Sequence, residues 1–181
     1  SRMSYQEKIQ RVEEMCDSFG EYMKEALGIE GVTKEERGEI RREIGDMRID
    51  LDANAFLRMM LAELSFCYRY GQKRSVENCE EGCHYTGYLC HHIKNCASNR
   101  LPMSVIGYSQ ALAWFLEDDE VDIEHIRAVM PFALAHRVQW RDSYISKKEG
   151  EGRNDPLQIY LAKEATEEVF QRYNEQRDYL I

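Results

Sequence analysis

Proline is scarce in this chain, with three in 181 residues, at positions 102, 131 and 156. Each proline removes an amide donor and crowds the preceding helical turn, so long stretches remain open to helix. Long apolar runs are missing as well. Ala111–Leu116 is among the longest, far short of the ~20 residues that span a bilayer, so no membrane association is expected. No charged-then-apolar leader is present, which makes cytoplasmic location the expectation, and a reducing thiol pool there disfavours structural disulfides. Basic clusters are absent too: the net charge is −9, and the pair Arg41–Arg42 is flanked by Glu39 and Glu43. Contact with a nucleic-acid backbone needs a local Lys/Arg excess, so nucleic acid is not an expected partner. No G-x-x-x-x-G-K-[ST] loop occurs, so these residues hold no nucleotide-binding core, and ATP hydrolysis by the chain alone is not expected. H-E-x-x-H, G-x-S-x-G and a Cys–His nucleophile pair are missing in turn.

What remains is a 43% hydrophobic, 31% charged composition with helical periodicity, and the predicted fold class is all-α, a bundle of about six helices. Tyr5, Ile9, Val12, Cys16, Phe19, Met23 and Ala26 alternate in steps of four and three, a heptad-like stripe suited to packing on neighbouring helices. Gly28 and Gly31 bracket its end. Thr33-Lys-Glu-Glu36 is a capping-box pattern opening a polar second helix with Ile40, Ile44 and Met47 as a narrow stripe. A third helix starts at Asp50–Asp52 and carries Phe56, Leu57, Met60, Leu61, Leu64, Cys67 and Tyr68 on a face broad enough for the core. Cys16 and Cys67 lie on apolar stripes and read as small core residues. Asp155–Pro156 open a last helix with Leu157, Tyr160, Leu161, Val169, Phe170 and Tyr173 inward. The chain thus divides into N-terminal helices (1–70), a cysteine-rich loop (71–97), a helical pair (98–146), a linker (147–154) and a C-terminal helix (155–181).

Four of the six cysteines, Cys79, Cys83, Cys90 and Cys96, fall within the loop, with His84, His91 and His92 interspersed. Tetrahedral zinc needs four thiolate or imidazole ligands, and C-x3-C-x6-C-x5-C offers them in one segment. The expectation is one structural metal on these four cysteines, zinc first, with an iron–sulfur cluster chemically open.

The stretch from Cys96 to Arg141 reads as two helices joined by the acidic turn Asp118–Asp119–Glu120. Ser98 is placed to cap the first, with Met103, Ile106, Leu112, Trp114, Phe115 and Leu116 as its apolar positions. Asp122 has the chemistry of an N-cap for the second, whose apolar positions are Ile126, Val129, Met130 and Leu134. His125, three residues after Asp122, is read as an exposed histidine beside that cap; a helical di-iron site would need paired Glu-x-x-His.

The order Ser98–Asn99–Arg100, Ala111–Leu112–Ala113, an acidic turn, Val121…Ile126, then Val129–Met130–Pro131…Leu134–Ala135–His136–Arg137 resembles the helical lid subdomain of MoxR-type AAA+ ATPases, over roughly residues 96–141. Asn99 departs from the proline common in that element. The resemblance implies a lid and interaction region of a chaperone-like remodelling ATPase. Its partners would be a nucleotide-binding core and neighbouring subunits, and ATP and magnesium would be held only by that core. Arg100 would be the lid arginine that reaches the nucleotide γ-phosphate, a role suited to a planar guanidinium. His136–Arg137 would be a structural pair closing the lid. The alternative is a free-standing zinc-stabilised helical adaptor that binds another protein.

Overall fold

A computed structural model describes residues 4–28, 30–73, 83–148 and 154–180. Eight helices and no strands occur among the described residues, two more helices than the periodicity suggested. They are α1 (Tyr5–Leu27), α2 (Lys34–Asp46), α3 (Leu51–Ser65), α4 (Leu89–His92), α5 (Arg100–Phe115), α6 (Ile123–Ala135), α7 (Asp142–Lys148) and α8 (Leu157–Leu180). The additions include α4 and α7, of four and seven residues, too short for a 3.6-residue period to register. The chain forms two compact units, residues 1–42 and 43–181, with the boundary inside α2.

In the first unit, Ser4 and Glu7 form a reciprocal capping box at the head of α1. Gly28 ends the helix in the left-handed region (φ 65°), its N–H donating to Lys24 O, a conformation glycine adopts without Cβ penalty. Thr33 and Glu36 form the box expected from the sequence: Thr33 N–H donates to Glu36 Oε2 at 2.8 Å and Glu36 N–H to Thr33 Oγ1 at 3.2 Å. No residue of α2 is buried.

The second unit is built on α3, α6 and α8. Helix α6 packs mainly on α8 and α5, while α3 packs on α4, α6 and α8. Asp50 caps α3 by accepting from Asp52 N–H at 3.3 Å. Ala53, Phe56, Leu57, Met60 and Leu64 are buried at helical spacing, and each large side chain contributes about 1.5–3 kcal/mol by leaving water. Phe56 meets Phe170 and Tyr173 edge-on, at ring centroids of 5.7 and 5.6 Å. From α8, Leu161, Ala162, Ala165, Thr166, Val169 and Tyr173 complete the core. Helix α3 ends at Ser65, so Cys67 and Tyr68 lie beyond it rather than on its core face. Cys67 is half-buried and Tyr68 exposed.

Helix α5 corrects the sequence reading most. Leu101, Val105, Ser109 and Ala113 form its buried ladder, whereas Met103 is 75% and Phe115 76% exposed, and Leu116 is exposed past the helix end. The helix is apolar around most of its circumference, so periodicity alone selects the wrong face. Ile106, Leu112 and Trp114 are half-buried, and Trp114 Nε1 donates to Glu43 Oε2 at 2.8 Å.

Candidate functional site

The α5–α6 pair is closed at its open end by a strap of two short segments. Ile93 and Trp140 form an isolated antiparallel bridge. Lys94 N–H donates to Gln139 O at 2.7 Å, and Arg141 N–H to His92 O at 2.8 Å. Asn95 reads both sides: its Nδ2 donates to Arg137 O at 2.8 Å, and its Oδ1 accepts from Gln139 N–H at 2.7 Å. Ala97 N–H reaches Leu64 O at 3.4 Å, tying the strap to the end of α3. The chain therefore enters α5 and leaves α6 through one hydrogen-bonded platform.

Arg100 is the first residue of α5 and is exposed. Ser98 does not cap this helix. Asn99 holds the N-cap position in αR conformation (φ −60°, ψ −13°) with no side-chain cap bond, and the first turn carries no acid. An N-cap side chain must lie in extended geometry to reach back to the amides, so the αR turn rules it out here. Within the first turn, at the positive end of the helix dipole, Leu101 N–H donates to Ser98 O at 3.0 Å and Pro102 carries no amide donor. Ser104 stands one turn along, and Arg137 Nη2 donates to Ser104 Oγ at 2.9 Å. Residues four apart share a helix face, so the guanidinium of Arg137 is held beside the face that carries Arg100. Arg137 Nε is buried with no partner among the described residues. His136 sits at the C-cap of α6, exposed.

The far end of the pair is the acidic corner. Glu117 N–H donates to Trp114 O at 3.2 Å and Asp118 N–H to Ala113 O at 3.0 Å, with Glu117 at φ 61°. That is a Schellman ending with glutamate where glycine is usual. Asp122 caps α6 as expected, its Oδ1 accepting from the amides of Glu124 (2.9 Å) and His125 (3.0 Å). His125 is buried, not exposed: Nδ1 lies 2.7 Å from Asp122 Oδ1 and Nε2 3.0 Å from Asp118 Oδ2. Burial opposes ionisation of Asp122, yet the His125 amide and ring outweigh it and hold the carboxyl below its ordinary value. Ile126, Val129, Met130 and Leu134 are buried as predicted. Val121 pairs with the segment before α3, its N–H donating to Arg48 O at 2.8 Å and its carbonyl accepting from Asp50 N–H at 2.9 Å.

Behind the strap lies a polar cluster that no sequence pattern announced. His92, buried, places Nε2 3.1 Å from Glu168 Oε2 and stacks on Tyr144 at 4.1 Å between centroids. Lys148 Nζ donates to Glu164 Oε2 at 2.6 Å and lies 3.6 Å from Glu168. Burial raises the Glu168 carboxyl, but His92 and then Lys148 more than offset it, leaving it below its usual range. Burial, followed by the Glu168 and Glu164 charges, pushes the Tyr144 phenol well upward.

Cys79 of the cysteine cluster lies outside the described residues. Cys90 is buried in α4, while Cys83 and Cys96 are half-buried. Among the described residues, no group of three His, Cys, Asp or Glu is placed to hold a metal ion. Likewise, no described helix is long and apolar enough to cross a membrane.

Residues 94–158 match the family model described as AAA lid domain. No curated protein matches the chain, and no solved structure does. The matched segment covers just over a third of the chain. It begins at the strap, takes in α5, α6 and α7, and ends at the head of α8. This region is therefore similar to an AAA lid, over a longer span than residues 98–146.

Proposed function

We propose that this chain supplies the lid and an adjoining interaction region of a MoxR-type AAA+ ATPase, a chaperone-like remodeller, with Arg100 as its nucleotide sensor. The observation that carries the reading is the AAA lid match over residues 94–158, with an exposed arginine heading its first long helix. An arginine at a helix start opposes the helix dipole, so local stability is a poor reason for it; a nearby phosphate is a better one. The lid carries no phosphate-cradling loop of its own, so turnover belongs to the complex with a nucleotide-binding core and neighbouring subunits.

The test compares ATP turnover and melting temperature in an assembly of this lid with its nucleotide-binding core. Arg100→Ala should cut turnover by about 10²-fold or more while leaving the melting temperature in place. Arg100→Lys should not restore it, because an ammonium lacks the planar fork. Equal turnover in wild type and Arg100→Ala would overturn the sensor role.

The zinc assignment to Cys79, Cys83, Cys90 and Cys96 is a second proposal, supported by their clustering in sequence and by thiolate preference for zinc.

A further inference from the structure

Helix α1 spans 23 residues, Tyr5–Leu27, and most of its described side chains are exposed, with Met23 half-buried. Met15 is 65%, Phe19 61% and Tyr22 60% exposed, with Leu27 beside them at 59%. Large apolar groups concentrated on one flank of a water-exposed helix mark an interaction surface. The spacing says what kind. Ile9, Cys16 and Met23 fall on a positions and Tyr5, Val12, Phe19 and Ala26 on d positions of an unbroken heptad register, the pattern that keeps one seam facing another helix.

The flanking positions select the partner. Lys8 falls on g and Glu13 on the following e, so two parallel copies place opposite charges side by side on both edges of the seam. The remaining g-to-e pairs are Met15 with Gly20 and Tyr22 with Leu27, which add apolar surface and no like-charge contact. An antiparallel pair would set Lys8 opposite Tyr22 and Glu13 opposite Gly20, losing both charge matches. We propose that α1 is a dimerisation helix that pairs with α1 of a second copy of this chain as a parallel two-stranded coiled coil. The proposal does not depend on the lid reading, since residues 94–158 lie outside this helix.

Sedimentation equilibrium of the 181-residue chain at up to about 100 μM should give twice the 21.3 kDa of one copy. Phe19→Asp puts a charge at a central d position and should weaken the dimer by about 100-fold or more. Phe19 is exposed within its own chain, so thermal unfolding of the remaining helices should not change. For orientation, Ile9→Cys in a Cys16→Ser background should give a disulfide-linked dimer under mild oxidation, whereas Cys16→Ser alone should not. In an antiparallel pair the two residue-9 positions would stand roughly 20 Å apart, beyond disulfide reach. A monomer throughout the concentration range, or a dimer indifferent to Phe19→Asp, would overturn the proposal. So would a dimer in which Ile9→Cys fails to cross-link.

Discussion

Glu63 and Arg172 stand 109 residues apart in sequence and meet in a two-point ion pair, Nε to Oε1 at 2.9 Å and Nη2 to Oε2 at 2.6 Å. Both side chains are largely buried. Glu63 also accepts from Leu89 N–H at 3.0 Å, and Arg172 donates to Gly87 O at 2.9 Å while lying over the Tyr88 ring. The pair thus joins α3, α8 and the approach to α4. Glu63→Ala would leave a largely buried guanidinium without its carboxylate and the Leu89 amide without its acceptor, and should cost about 3–5 kcal/mol in urea unfolding. A loss under 1 kcal/mol, on the same scale, would show that water already serves both groups.

Glu117 holds a left-handed conformation at the end of α5. Replacing it with glycine removes a Cβ penalty of about 1 kcal/mol, partly offset by greater freedom in the unfolded chain. Glu117→Gly should be neutral to stabilising, whereas Glu117→Val should destabilise. The melting temperatures of the two variants should therefore move in different directions, or at least separate clearly.

Acid should weaken the second unit through Glu168 and Asp122. Both carboxyls are held below their ordinary values in the folded chain, so their contribution is complete above the unfolded values, about 4. It is lost as pH falls through the folded values. Melting temperature followed from about pH 7 to about pH 3 should drop steeply in wild type. In Glu168→Gln it should start lower and fall less. Parallel curves would remove Glu168 from the account.

Zinc analysis of protein purified without chelator tests the cysteine proposal. One metal per chain is expected, lost in Cys83→Ser. Chelation should leave most of the helical signal, because the α3–α6–α8 core is apolar and complete among the described residues. A content near zero, with all four thiols titrating freely, would end the assignment.

Leu101→Ala, at a fully buried position of α5, should cost about 2–5 kcal/mol. Phe115→Ser, at a position 76% exposed, should stay within about 0.5 kcal/mol of wild type. Differential scanning calorimetry of the two variants would decide which face of α5 is inward.

That contrast also marks where the sequence was legible. Helices α3, α6 and α8 announced their buried faces because polar residues break their apolar stripes at regular intervals, and Asp122 and the Thr33–Glu36 box were visible as local chemistry. In α5 Met103, Tyr108 and Phe115 face water, so no polar side defined the other. His125 looked like a cap neighbour and proved buried, because the partner that covers it, Asp118, comes from the turn before the helix. Arg100 could be placed at a helix start, but not Arg137 on Ser104 of the same helix. Nor could the Glu63–Arg172 pair be seen, since contacts between distant segments leave no spacing to read.

The strap has a mechanical meaning of its own. Because Asn95 binds the backbone of both Arg137 and Gln139, the start of α5 and the end of α6 share one fulcrum. Under the proposed sensor role, a push at Arg100 would have to carry α6 along with α5, and with α6 the helix α8 on which it packs. Such an element would work as a lever and not as a flap, carrying a displacement at its loaded end toward the far end of the 24-residue helix.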